Sequence, residues 1–179
     1  MPFRKLSSIL TCRFSIYAVG GRDGAAGLRE TESYDPHTNR WSSCAPMQKR
    51  RGGVAVAACN GFLFAIGGHE SSATNKCTVR HDDGERYDPR CDQWSLITAL
   101  NRPREALAIA AVNDKLYIVG GFDGKILDEV EKYDPETDRW SKVGAHRRSS
   151  PCTTDPCQLS FAESFAGNET SWCLSHPRS

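Results

Sequence analysis

The 179-residue sequence predicts an all-β fold: a partial β-propeller of three four-stranded blades followed by an irregular C-terminal tail. Three observations predict it. One phrase recurs three times, as IYAVGGRDGAAGLRETESYDPHTNRW, LFAIGGHESSATNKCTVRHDDGERYDPRCDQW and LYIVGGFDGKILDEVEKYDPETDRW, and such a repeat marks a stacked architecture. The spacing inside it is selective. Trp41, Trp94 and Trp140 each follow Tyr34, Tyr87 and Tyr133 by seven residues, and the first two precede the next Gly pair by 26. Yet the pairs Gly20-Gly21, Gly67-Gly68 and Gly120-Gly121 are separated by steps of 47 and then 53. All the variation lies between Gly pair and Tyr, which is how a loop behaves on a repeated unit. Finally, residue size is graded from Ala, Val and Gly in the first strand to Trp in the last. A radial stack of sheets, crowded inside and open outside, needs that grading.

Each unit reads as four strands. The innermost is small and apolar, GGVAVAAC (52–59) and EALAIAAV (105–112). Asn60-Gly61 and Asn113-Asp114 follow with two-residue hairpin chemistry. The second strand ends in the Gly pair, which permits positive φ and close backbone approach. The third runs into Tyr-Asp-Pro, whose Asp and Pro open a turn. Asn39, Asp92 and Asp138 close it, since Asn and Asp tolerate left-handed φ. The fourth carries the Trp, which fills the wide outer gap between blades.

Composition is that of a soluble globular protein, 39% hydrophobic and 25% charged, with formal net charge +1. No global field draws it to nucleic acid or a membrane, and no apolar run approaches the roughly 18 residues of a membrane span. Lys49-Arg50-Arg51 and His146-Arg147-Arg148 read as solvated loop charge. In the basic start MPFRKLSSILTCRFSIYAVGG the apolar run is broken by Arg13 and the segment runs straight into the first repeat, which argues against a targeting peptide. The eight Cys are irregularly spaced and read as reduced thiols, so the expected location is cytoplasmic, with a cytoskeletal association open. Cys152, Cys157, Cys173 and His176 are loosely zinc-like, but Pro156 and Pro177 adjoin them, and neither metal nor cofactor is expected. Glu32, Glu85 and Glu131 recur beside Glu30, Asp83 and Glu129. Carboxylates repeating once per blade belong to the repeat rather than to a unique acid–base pair. No catalytic residue is assigned, and the chain is not expected to be an enzyme.

The apolar strand ending in Gly-Gly, the Tyr-Asp-Pro turn and the Trp seven residues after the Tyr resemble the kelch repeat, across about residues 14–145. The CAPM and ERYDP phrases are similar to the kelch-like proteins, whose propeller normally follows a BTB and a BACK domain. The resemblance implies a closed ring of six blades, of which three are expected here, at about 7–43, 50–97 and 103–143 within 14–148. Residues 1–13 are expected to be a degenerate inner strand, SSILTC, or an unrelated leader. Residues 149–179 depart from the repeat and are expected to form a disordered tail, so that the chain reads as a truncated isoform without BTB or BACK. Two blade faces are then open. Self-pairing to complete the ring, cover by Phe161, Phe165 and Trp172, or chaperone binding would each answer that.

The resemblance implies a protein-interaction module, similar to the substrate-recognition part of a cullin-based ubiquitin ligase adaptor without its ligase-binding part. Actin binding is the alternative. The loops after the Gly pairs line the partner face in this family. Position by position, contacts with a protein target are expected from Arg22, Asp23, His69, Phe122 and Asp123, joined at the rim by Arg51 and Arg104. Arg offers a carboxylate a bidentate fork, and His or Phe adds flat contact area.

Overall fold

The computed structural model describes residues 9–12, 15–24, 26–71 and 78–145. The zinc-like Cys and His, the tail aromatics and the basic run at 146–148 lie outside the described residues. Every named element is a strand. Blade 1 is a meander of β1 (Ile9–Cys12), β2 (Ser15–Asp23), β3 (Ala26–Asp35) and β4 (Arg40–Cys44). Blade 2 is built from β5 (Ala55–Cys59), β6 (Phe62–Ile66), β9 (Gly84–Asp88) and β10 (Gln93–Ile97). A two-stranded ladder, β7 (His69–Glu70) with β8 (Val79–Arg80), stands between its second and third strands. Blade 3 contains β11 (Ala108–Val112), β12 (Lys115–Val119), β13 (Glu129–Asp134) and β14 (Arg139–Ala145). All pairings are antiparallel, and β5 packs between β1 and β11 at the inner end. β1 is the edge strand of blade 1, with Ile9 opposite Ala18.

Turn chemistry follows the sequence closely. Asn60 and Gly61 have φ of 51° and 79°, and Asn113 and Asp114 have 48° and 59°, as a two-residue hairpin with two positive φ values demands. Asn39, Asp92 and Asp138 sit at φ 54°, 52° and 52°. Each also receives a tyrosine: Tyr34, Tyr87 and Tyr133 donate their hydroxyls to the side-chain oxygen at 2.8, 2.7 and 2.7 Å. Burial, then the acceptor carboxylate, pushes the Tyr87 and Tyr133 hydroxyls up, so both remain donors. The same tyrosines lie tilted against Trp41, Trp94 and Trp140, at 5.2, 5.1 and 4.9 Å between ring centroids.

These groups also make the seams between blades. Asp92 accepts from Ala45 N at 2.8 Å while Trp94 Nε1 donates to Ala45 O at 2.9 Å, so blade 2 holds both backbone groups at the exit of blade 1. Blade 3 does the same with Thr98: its N–H reaches Asp138 at 2.9 Å and its carbonyl takes Trp140 Nε1 at 2.8 Å. Apolar cores fill the seams. Tyr17, Val19, Met47, Val54, Leu63, Ala65, Tyr87 and Trp94 form the first, and Phe64, Ile66, Leu100, Leu107, Leu116, Ile118 and Tyr133 lead the second. Tyr17 meets Tyr87 edge-on at 6.0 Å, and Phe64 meets Tyr133 edge-on at 5.9 Å. Trp41 departs from the burial expected of a seam residue. It is 50% exposed against 9% for Trp94, because no blade precedes it among the described residues.

The Gly pairs are where blades touch by backbone. Gly21 N donates to Arg51 O at 3.0 Å and Gly68 N to Arg104 O at 2.9 Å. A Cβ on Gly67 would lie 2.5 Å from Arg104 O, at a φ of +64°. Gly24 shares the left-handed φ, +61°, but faces open space. Replacing Gly67 by Ala is therefore expected to cost about 2–4 kcal/mol in urea unfolding, against about 1 kcal/mol for Gly24→Ala. Equal costs would remove close approach as the reason for the Gly pair.

Candidate functional site

The candidate site is the face on which the Gly pairs end. Two residues expected on its rim lie inside instead. Arg51 and Arg104 are both 0% exposed, which corrects the expectation that they reach a partner. Arg51 donates to Glu85 at 3.1 and 3.0 Å, to Asp83 Oδ1 at 2.6 Å and to Gly67 O at 2.8 Å. Arg104 pairs with Glu131, reaches Glu129 at 3.4 Å and donates to Gly120 O at 3.1 Å. Glu85 and Glu131 are themselves fully buried. Their remaining capacity is used by Gln48 N at 2.7 Å and Asn101 Nδ2 at 2.7 Å. A guanidinium enclosed in this way clamps the end of the second strand to the third and cannot fork onto a ligand. The recurring carboxylates of blades 2 and 3 are its counter-ions.

His69 is the third correction. It is only 7% exposed, and its Nδ1 is paired with Glu105 of the next blade. Its backbone N–H and carbonyl exchange bonds with Gly52, each at 2.8 Å. The imidazole is a joint between blades, not an exposed contact.

Around it the loops interlock. Arg22 and Asp23 are exposed, and Arg22 Nη2 reaches Ser71 Oγ of blade 2 at 3.4 Å. Glu105 also accepts from Arg80 Nε at 2.8 Å, and that guanidinium stacks over the Phe122 ring, 4.9 Å from its centroid. Phe122 exchanges backbone bonds with Glu105 at 2.9 and 3.1 Å. Asp123 takes Arg102 Nη1 at 3.3 Å. Burial alone would raise its carboxyl, but the Lys125 N–H and Arg102 outweigh that and hold it below the usual aspartate range. Ile126 bridges to Phe122 and Val79 precedes the Arg80 that stacks on it; they are 66% and 60% exposed. A shallow groove beside Ile126 is lined by Arg102, Lys125 and Glu129.

The structure thus brings Arg22, His69 and Phe122 into one row and removes Arg51 and Arg104 from it. It adds Arg80, Glu105, Arg102, Val79 and Ile126, which sequence reasoning missed. Val79 and Arg80 fall in the longest Gly-to-Tyr gap, and only that length marked them. Among the described residues no three His, Cys, Asp or Glu gather as a metal site. No helix among them is long and apolar enough to cross a membrane.

Stacked four-stranded meanders, joined at Gly-Gly and locked by Tyr, Asx and Trp, define a propeller segment of kelch type. The KLHDC2/KLHL20/DRC7 Kelch-repeats domain matches residues 2–162, and the chain belongs to the kelch-repeat family. It is 38% identical over 111 residues to Kelch-like protein 35 of Mus musculus, covering 62% of this chain and 18% of the relative. Kelch-like protein 35 of Homo sapiens is 36% identical over 154 residues, covering 64% and 26%. Kelch-like protein 26 of Danio rerio is 34% identical over 106 residues, covering 59% and 17%. The chain thus spans about a fifth of the length of these relatives. A solved structure titled "Structure of YjhT" shares the fold, with a TM-score of 0.68 at 18% identity, covering 81% of this chain and 53% of that one.

Removing one partner of a buried ion pair strands the other. Arg104→Ala is expected to cost about 3–5 kcal/mol in urea unfolding, and Arg104→Met with Glu131→Leu to recover most of that. A small single-variant cost would show that Glu131 is not held by Arg104. Acid should act in two stages. Burial holds the His81 imidazole below its ordinary 6.5, so the unfolded chain takes up that proton first and stability starts to fall below this pH. Burial raises and Lys49 and Arg51 more strongly lower the Asp83 carboxyl, whose contribution is present above 3.8 and lost as pH drops below it. His81→Gln should abolish the first decline of the unfolding midpoint, and Asp83→Asn should blunt the second.

Proposed function

We propose that this chain is a protein-recognition module that grips its target on the loop face. Within a full kelch-like protein, in the cytoplasm, it serves as the substrate-recognition end of a cullin-based ubiquitin ligase adaptor. One observation carries the reading. Loops from three blades are joined by Arg22–Ser71, His69–Glu105 and Arg80–Phe122 contacts into one row, with Arg22, Val79 and Ile126 left facing outward. A surface fixed before binding loses little conformational freedom on contact. Apolar and aromatic positions beside arginines are what a peptide or protein surface uses as anchors. The family membership and the kelch-like relatives support the adaptor role. The buried carboxylates are committed to arginine, which favours binding over acid–base chemistry.

Affinity capture from cell extract should compare the chain with Arg22→Glu and with Val79→Asp/Ile126→Asp. Specific partners are expected to fall about tenfold or more with each variant while the unfolding midpoint stays unchanged. Partners retained equally by all three proteins would sink the loop-face reading. Co-sedimentation with actin filaments that persists at physiological salt would replace the ligase role by a cytoskeletal one.

A further inference from the structure

We propose that blade 2 carries a second binding site, at the end of the blade opposite its Gly pair, and that this site takes an acidic segment of a protein partner. Arg86 and Arg90, carried on the ring of Phe62, hold the carboxylates. The site is separate from the loop face.

The sheet itself brings the three residues together. Antiparallel pairing sets Leu63 opposite Tyr87 and Phe64 opposite Arg86, so the start of β6 lies beside the end of β9, at the Tyr-Asp-Pro turn. Phe62 is two residues from Phe64 and shares its face with Arg86, while Arg90 follows in the turn. The Arg86 guanidinium lies 4.8 Å from the centroid of the Phe62 ring, and that of Arg90 lies 5.8 Å from it. Phe62 is anchored in turn against the apolar core between blades 2 and 3.

Stacking fixes these two cations without neutralising them. Arg51 and Arg104 end on buried carboxylates. Among the described residues the Arg86 guanidinium makes no hydrogen bond or ion pair; only its carbonyl is bonded, by Ser95 Oγ at 3.4 Å. Burial raises the Asp138 carboxyl, but the Tyr133 hydroxyl, Thr98 and lastly the Arg86 charge hold it below the usual aspartate range. That carboxylate is already occupied, by Tyr133 at 2.7 Å and by the Thr98 N–H and hydroxyl at 2.9 and 2.8 Å. Arg90 has a side chain 71% exposed and a long contact of 3.4 Å to Asp88 Oδ1, an oxygen that also takes the Arg90 N–H at 2.9 Å. A guanidinium lying on a ring keeps its in-plane N–H groups for a bidentate acceptor. Two of them beside one ring repel each other, and a carboxylate from outside relieves that repulsion.

The neighbouring blades show that packing does not require this arrangement. In blade 3 the same three positions are Lys115, Lys132 and Glu136. Lys115 Nζ donates to Asp134 at 2.7 Å and stands 3.7 Å from Glu136, so its charge is neutralised inside the blade. In blade 1 they are Ser15, Ser33 and His37. Neither the buried arginine clamp nor the Tyr–Asx–Trp lock uses any of these positions. The same end of blades 2 and 3 also carries Asp88, Asp134 and Glu136, which oppose the long run of charge on a nucleic-acid backbone. One or two carboxylates with an apolar neighbour for the Phe62 ring meet no such opposition.

Fluorescence anisotropy of the full chain with a labelled oligoglutamate peptide carrying one central leucine tests the proposal. The peptide is expected to bind at low ionic strength and to weaken as salt is added, and its oligolysine counterpart not to bind. Arg86→Gln and Arg90→Gln are each expected to weaken binding about tenfold. Arg90 sits in an exposed turn, so its variant should keep the parent unfolding midpoint. Phe62→Leu should weaken binding too, and Phe62→Tyr should restore it, which separates a stacking platform from an apolar filler. Arg22→Glu, on the loop face, should leave the peptide affinity unchanged, so failure at this site is distinguishable from failure of the loop-face reading. Affinity unaltered in both arginine variants, displacement of the peptide by inorganic phosphate at equal concentration, or tighter binding of single-stranded RNA would each overturn the proposal.

Discussion

The structure depends on one arginine position used in two directions. The main chain of Arg51 accepts Gly21 N from the blade before, while its side chain is enclosed by Glu85 and Asp83 of its own blade. Arg104 repeats both halves one blade later. A charge buried without its counter-ion would cost several kcal/mol, so the guanidinium and carboxylate fix the inner strand, second strand and third strand as one unit. The carbonyl then fixes that unit against its neighbour. Backbone contact explains why glycine is required opposite it: any Cβ there would strike the same oxygen.

The loop face inherits its geometry from this clamp. In blades 2 and 3 the candidate loop leaves the four-stranded sheet directly after the Gly pair, and in blade 1 β2 carries on to Asp23. His69 and Glu105 then span the seam on the solvent side of the buried arginines, and Arg80 carries the connection to Phe122. Rigidity at the partner face is thus transmitted outward from a buried ion pair through a half-buried one to an exposed apolar rim. The charged groups divide by depth: Arg51, Arg104, Glu85 and Glu131, which hold the blades, are sealed, while Arg22 and Asp23 are exposed.

Most of the fold was legible because its signals are local or periodic. The hairpin pairs, the Asx positions at the Tyr-Asp-Pro turn and the Trp strands were all readable from spacing and turn chemistry. So was the repeat-wide character of the carboxylates at 85 and 131. What spacing could not reveal was depth. Arg51 and Arg104 looked like rim residues because they precede an inner strand and carry charge. Only the three-dimensional return of β9 and β13 brings Glu85 and Glu131 beneath them. His69 misled for the same reason, its partner Glu105 lying 36 residues on in the next blade. Val79 and Ile126 are single apolar residues in loops, and nothing in a linear pattern distinguishes an anchor there from a chance valine.

The β7–β8 ladder lies wholly within the one variable gap, between Gly68 and Gly84. The Tyr–Asx–Trp lock has no residue inside it, and the clamp only Asp83 at its far end, where His81 and Asp82 also bond to Gly68, Arg104 and Leu100. Chain can be added or recoded ahead of these three residues without moving a strand out of register. The architecture therefore separates inheritance from novelty: one side of each blade is held constant by packing, and the other is an open slot in which a new specificity can be written.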